Sequence, residues 1–154
     1  MGFLDKLKGA VNLVTGDAAK VSIEWTPAMG FPGERIQVKI TATSTGAEVR
    51  SGGAFVDLVG AETAHVPGDT TTGPGPSGDA ARRTMEREIK IAEAFVLAPG
   101  ETKVFESGFE IPKGAQPTYA GVAARHDWQI RGRIETVGND PDSGFLALRV
   151  GLRA

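Results

Sequence analysis

Residues 95–134 read FVLAPGETKVFESGFEIPKGAQPTYAGVAARHDWQIRGRI, and this stretch decides the fold. Phe95-Val96-Leu97 is a short apolar run that ends in a turn at Pro99-Gly100-Glu101. Val104 to Ile111 predicts a strand, and Pro112 stops it because proline has no N–H to give to a ladder. The loop KGAQPT then leads into Tyr119. From 122 to 137 apolar and polar residues alternate. Val122, Ala124, His126, Trp128, Ile130 and Ile134 fall on one side, with Arg125, Asp127, Gln129, Arg131, Arg133 and Glu135 on the other. A long strand with one buried face is the reading.

The same punctuation extends in both directions. In KVSIEWT (20–26), Val21, Ile23 and Trp25 share a face, and Pro27 stops the run. Pro32-Gly33 sets a turn, and RIQVKITATS follows with Ile36, Val38, Ile40 and Ala42 on one side. GAFVDLVGAETA (53–64) predicts a strand centred on Phe55 to Val59. Residues 66–79, VPGDTTTGPGPSGD, predict a flexible loop, since nothing there can bury itself. Residues 80–94 read both ways: Met85, Ile89, Ala92 and Val96 have helical spacing, while Ile89 and Ile91 alternate. A strand from about Thr84 to Ile91 is expected, because a sandwich needs one there. GNDPDSG (138–144) predicts a turn, and Leu146, Leu148, Val150 and Leu152 a last strand. About seven strands with regular turns predict an all-β domain over 17–154, a two-sheet antiparallel immunoglobulin-like sandwich.

Composition agrees with this class. A chain of 154 residues suits one domain with a real core. With no cysteine, disulfides and thiol chemistry are excluded, which fits a cytoplasmic protein. Net charge is −2 with both signs mixed, so the basic surplus of a nucleic-acid binder is absent. No run reaches the roughly 20 apolar residues of a membrane helix. The N-terminus lacks a signal-peptide pattern, and Lys6 breaks the myristoylation pattern that Met1-Gly2 begins.

Residues 1–16 predict a short amphipathic helix. Phe3, Leu4, Leu7, Ala10, Val11 and Val14 fall within an arc of roughly 120°. Lys6, Lys8 and Asn12 lie outside it, and Gly16 ends it. Phe3, Leu4, Leu7, Val11 and Val14 are the candidate partner or assembly surface, on this domain, on a partner or as a peripheral contact with a membrane.

Four clusters carry a family resemblance: Phe95 and Leu97 before Gly100-Glu101; Val104-Phe105, Phe109 and Ile111-Pro112; Gln116-Pro117-Thr118-Tyr119 with Gly121; and Trp128, Ile130-Arg131 and Arg133-Ile134. Together they resemble the arrestin-like fold family. The N-terminal portion, with Phe3 to Val14, Lys20-Val21 and Pro32-Gly33-Glu34, is similar to its bacterial sporulation-control branch. Members carry two sandwich lobes, and this chain has room for one. Gln116 stands where the family usually has a second proline. The resemblance implies a non-enzymatic adaptor that binds proteins, with no cofactor and no small-molecule substrate.

Candidate chemical sites are weak. Gly73 to Gly78 matches G-x-G-x-x-G, but Pro74 and Pro76 remove backbone donors a nucleotide would need. Asp140-Pro-Asp142-Ser-Gly144 resembles the start of a calcium loop yet lacks its later ligands, so a hairpin turn is expected. His65 and His126 show no metal-ligand spacing, and His126 and Asp127 point to opposite strand faces. No G-x-S-x-G is present, and no nucleophile, base and orienter assemble, so no catalytic residue is expected. Trp25 and Trp128 are expected in the core, the alternative being an exposed carbohydrate platform. Tyr119 is expected to anchor its loop through its hydroxyl. Arg125, Arg131 and Arg133, with Lys103 and Lys113, are expected on a solvated sheet face, interrupted by Asp127 and Glu135.

Three functions follow as expectations. The first is an adaptor that binds a protein partner, or a second copy of itself, along a sheet surface or at an open edge. The second is a structural subunit of a filament or shell. The third is a carbohydrate- or calcium-binding sandwich.

Overall fold

Glycine and proline divide the chain into short extended segments, and the Val-, Ile- and Thr-rich runs between them pair as strands. The structure is a computed structural model, and residues 18–66 and 78–152 are described. Among them every regular element is a strand. In chain order these are β1 (Ala19–Thr26), β2 (Met29–Gly30), β3 (Arg35–Ser44), β4 (Val49–Ser51), β5 (Gly53–Val66) and β6 (Gly78–Ala92). β7 (Phe95–Leu97), β8 (Thr102–Glu110), β9 (Tyr119–Ala120), β10 (Ala124–Glu135) and β11 (Leu146–Val150) complete the set.

A small sheet has the order β1-β3-β8 and a larger one β2-β11-β10-β5-β6, with β9 also on β10. All pairings are antiparallel except β2 with β11. β4 and β7 form a separate ribbon that carries the β3–β8 pairing onward and turns the chain from one sheet to the other. Gly53 stands at that corner with φ +150, and a Cβ there would sit 2.6 Å from the Ala92 carbonyl oxygen. Only glycine fits both conditions without strain.

The core lies between the sheets. The inward faces predicted for β1 and β3 are observed: Ile23, Ile36, Val38, Ile40 and Ala42 are buried and Val21 and Trp25 pack against them. Val56 and Leu58 of β5, Trp128, Ile130 and Ile134 of β10, and Leu148 and Val150 of β11 face them. Each such side chain contributes roughly 1.5–3 kcal/mol. Gly132, on the inward face of β10, lets the layers close. A Cβ there would meet Ile23 and Ile40 at 3.2 Å.

Some boundaries differ from expectation. β5 runs through Val66 and β6 starts at Gly78, so both ends of the predicted 66–79 loop are strand. The strand expected over Thr84 to Ile91 is part of this longer β6, which pairs with β5 along its length through two register shifts. The helical spacing of Met85 and Ile89 has no structural counterpart. Residues 67–77 and the predicted helix at 1–16, with Phe3, Leu4, Leu7, Val11 and Val14, lie outside the described residues. Val122 is fully exposed, not inward, because a turn closed by Gly121 N–H on the Ala124 carbonyl (2.8 Å) precedes β10. Leu152 lies beyond β11 and is exposed, and Leu146 is also largely exposed.

A charged groove on the outer face of the large sheet

Strand alternation puts Phe55, Asp57 and Val59 of β5 on the outer face of the large sheet. Asp57 lies opposite Arg131 of β10 on one side and Glu88 of β6 on the other; Phe55 lies opposite Arg133. The β10–β11 connection then folds back along β10. Ile134 N–H donates to the Pro141 carbonyl (3.1 Å), Ser143 N–H to the Gly132 carbonyl (2.8 Å), and Gly132 N–H to Ser143 Oγ (2.9 Å). This return brings Asp140 and Asp142 against the arginines.

The arginines and acids form one network. Asp57 Oδ2 accepts from Arg131 Nε (3.0 Å), Arg131 Nη2 (2.8 Å) and Arg133 Nε (2.8 Å). Arg133 Nη1 donates to Asp140 Oδ2 (3.1 Å), and its Nη2 donates to Glu88 Oε2. Each guanidinium also covers a ring, Arg131 that of Phe145 (4.5 Å to centroid) and Arg133 that of Phe55 (4.7 Å). Arg133 is only 8% exposed. Burial pushes its pKa down, but the hydrogen bond to Asp57 and the charges of Asp57, Glu88 and Asp140 outweigh that and hold it above the ordinary arginine value.

Above this floor is an open groove of about 1060 Å³. One wall is β6, with Arg83, Glu86 and Arg87; the other is the loop with Asn139 and Asp140. Arg83 and Glu86 pair at 2.7 Å while both stay exposed. The floor charges satisfy one another, so an incoming molecule meets a preset alternation of charge and exchangeable wall groups. No Ser, Thr, Lys, Tyr or His lines the groove, so a nucleophile with a neighbouring base does not occur in it.

The residues singled out in the sequence are distributed as follows. The expected solvated arginine face is corrected: Arg131 and Arg133 are pinned in the network, and Arg133 is buried. Arg125 instead pairs with Asp127 at 2.6 Å on the exposed surface. Lys103 lies opposite buried Ala42, on the inward face of β8, and Lys113 is exposed in a loop, so neither joins a stripe. His126 is fully buried between the Tyr119 and Trp128 rings, with Nε2 and Thr84 Oγ1 2.6 Å apart and Nδ1 without a partner. His65 is exposed near the end of β5. Trp128 is 1% exposed and donates from Nε1 to the Gln116 carbonyl (2.6 Å), so it is core and a loop clamp. Tyr119 is partly exposed and donates to Glu62 Oε2 (3.3 Å), tying β9 to β5. Its pKa is raised, first by burial and then by the Glu62 carboxylate. Asp140 also accepts from Thr136 N–H (2.9 Å), and Asp142 accepts from Gly144 N–H (2.6 Å), the bonds of a turn. Among the described residues no cluster of three or more acidic or histidine side chains could hold a metal ion. The groove itself was not foreseen. Its signal was Asp57, the one charge inside the apolar run AFVDLV.

Solved structures place this architecture. The crystal structure of the sporulation control protein Spo0M from Bacillus subtilis superposes with a TM-score of 0.64 over 88% of this chain, at 18% identity. The fold is the arrestin-like sandwich of Spo0M. The chain spans about half the length of the Spo0M chain, 50% of it. The alkylpurine DNA glycosylase AlkC of Pseudomonas fluorescens, bound to DNA containing an abasic site analog, aligns over 86% of this chain and 30% of that one. Identity there is 21%, and the TM-score of 0.45 is below fold-level likeness. No family model and no curated protein matches the chain.

Proposed function

We propose that this protein is a non-enzymatic adaptor that takes a protein segment into the outer-sheet groove. The observation that carries this reading is the groove's construction. Its floor is a rigid, internally neutralised charge network, and its walls are exposed and charged. Such a surface recognises a complementary pattern of charge more readily than it performs chemistry. The arrestin-like sandwich suits this role, since partner binding on a sheet face needs no mobile catalytic parts. The polarity of the lining disfavours a drug-sized apolar ligand, which would seek hydrophobic walls.

Affinity purification from the native cell, comparing the wild type with an Arg83→Glu/Glu86→Arg double variant, tests this. Both side chains are exposed, so the fold is unaffected. A protein enriched by the wild type and lost with the variant is expected. Equal recovery with both proteins, or no enrichment over a tag-only control, would overturn the proposal.

A further inference from the structure

We propose that β1 is a docking edge for a second copy of this chain, which adds its own β1 antiparallel across a two-fold axis. The inference begins with the sheet edges, which leave backbone N–H and C=O groups open and are normally protected by short length, bulges or inward-pointing charge. β2, at one end of the large sheet, is only Met29–Gly30. β6, at the other end, shifts register at Gly60/Ala61 and places Arg87 opposite Leu58, on the core-facing side. β8 places Lys103 opposite buried Ala42. β1 has none of these devices. It pairs with β3 without interruption from Ala19 to Thr26, and its core-facing residues are Ala19, Val21, Ile23 and Trp25.

The ladder also shows which backbone groups are available. Thr45 N–H donates to the Ala18 carbonyl. In an antiparallel ladder such pairs alternate, so the even-numbered residues of β1 bond to β3 and the odd-numbered ones point to the open edge. Among the described residues nothing else pairs with that edge. An added strand must therefore bond to Ala19, Val21, Ile23 and Trp25.

Self-pairing satisfies this in a register centred on Ser22. Val21 then lies opposite Ile23 of the second copy and Ala19 opposite its Trp25, which matches open groups to open groups and continues the apolar face. On the outer face Lys20 meets Glu24 of the second copy, twice by symmetry. Lys20 and Glu24 are both exposed and have no ion-pair partner among the described residues. Moving the register by the next permitted step in either direction sets Lys20 opposite Ser22 or Thr26 and loses both pairs. The charge pattern of β1 thus selects its own antiparallel image, an isologous contact that closes as a dimer. The two small sheets become one continuous six-stranded sheet.

Sedimentation velocity of the full chain over a concentration series tests the proposal, using wild type, Lys20→Glu, Glu24→Lys and an equimolar mixture of the two variants. The wild type is expected to dimerise reversibly. Each variant alone sets like charges opposite each other twice and weakens the dimer about tenfold. In the mixture every Glu faces a Lys, so association returns to the wild-type level or tighter. A wild type that stays monomeric throughout would overturn the proposal, whether residues 1–17 or some other chain covers the edge. So would a dimer indifferent to both substitutions, or a mixture that fails to recover.

Discussion

Replacing Arg133 with Ala tests whether the groove floor is held by charge. Arg133 is buried, and the substitution removes its bonds to Asp57, Asp140 and Glu88 at once. The three partners do not count equally. Glu88 is 61% exposed at its side chain and returns to water, so its share is under about 1 kcal/mol. Asp57 is 13% exposed but keeps both bonds from Arg131, so it is left under-paired and not bare. Removing one partner of a fully buried pair costs roughly 3–5 kcal/mol, and retained Arg131 puts this case at the lower end. The ring contact with Phe55 adds roughly 0.5–1 kcal/mol. The expected loss is about 3 kcal/mol, which lowers Tm by roughly 6–12 °C in a domain of this size. Urea unfolding followed by tryptophan fluorescence measures it, with Arg83→Ala as the exposed control at under about 0.5 kcal/mol. Arg133→Lys keeps the charge but not the fork and should fall between them. A double-mutant cycle with Asp57→Ala should return a coupling of about 1–2 kcal/mol. If Arg133→Ala costs no more than Arg83→Ala, the network is a surface decoration and the reasoning fails.

Gly53→Ala should destabilise the fold by roughly 2 kcal/mol or more, because the new methyl meets the Ala92 carbonyl at a positive φ; unfolding by urea measures it, and a neutral result would contradict the corner geometry. Tyr119 is the single tyrosine, so ultraviolet absorbance reports its ionisation alone. It should titrate above the ordinary tyrosine value of about 10, and Glu62→Gln should bring it part of the way down, since burial is the larger cause. A raised folded pKa stabilises the protein fully below the unfolded value, and that contribution is lost as pH rises through the folded one. The wild type should therefore lose more stability than Tyr119→Phe between about pH 10 and pH 12, and identical alkaline curves would contradict it.

Most of the fold was legible because the strands are half buried and alternate. Ile36, Val38, Ile40 and Ala42 could face only one way. Alternation reports which face a residue occupies, however, and not how deeply that face is covered. Arg133 was placed correctly on the outer face and wrongly in solvent, because the cover is a loop that returns over it from 140–143. Asp57 lies more than seventy residues from its arginines, and no local pattern announces so distant a pair. Val122 continued the period of β10 through a turn that breaks it. β6 was ambiguous because an edge strand with Arg82, Arg83, Glu86, Arg87 and Glu88 has little apolar periodicity to read. The arrestin-like motif residues proved structural: Trp128 and Gln116 clamp one loop, and Gly100 makes its turn at φ +74.

The most direct test of the groove as a docking surface is site-specific photocrosslinking in the native cell. One probe replaces Glu86, on the groove wall, and a second replaces Thr41, on the outer face of the opposite sheet. The account predicts a discrete heterologous protein adduct from position 86 and none from position 41. No adduct from position 86, or the same adducts from both positions, would contradict it.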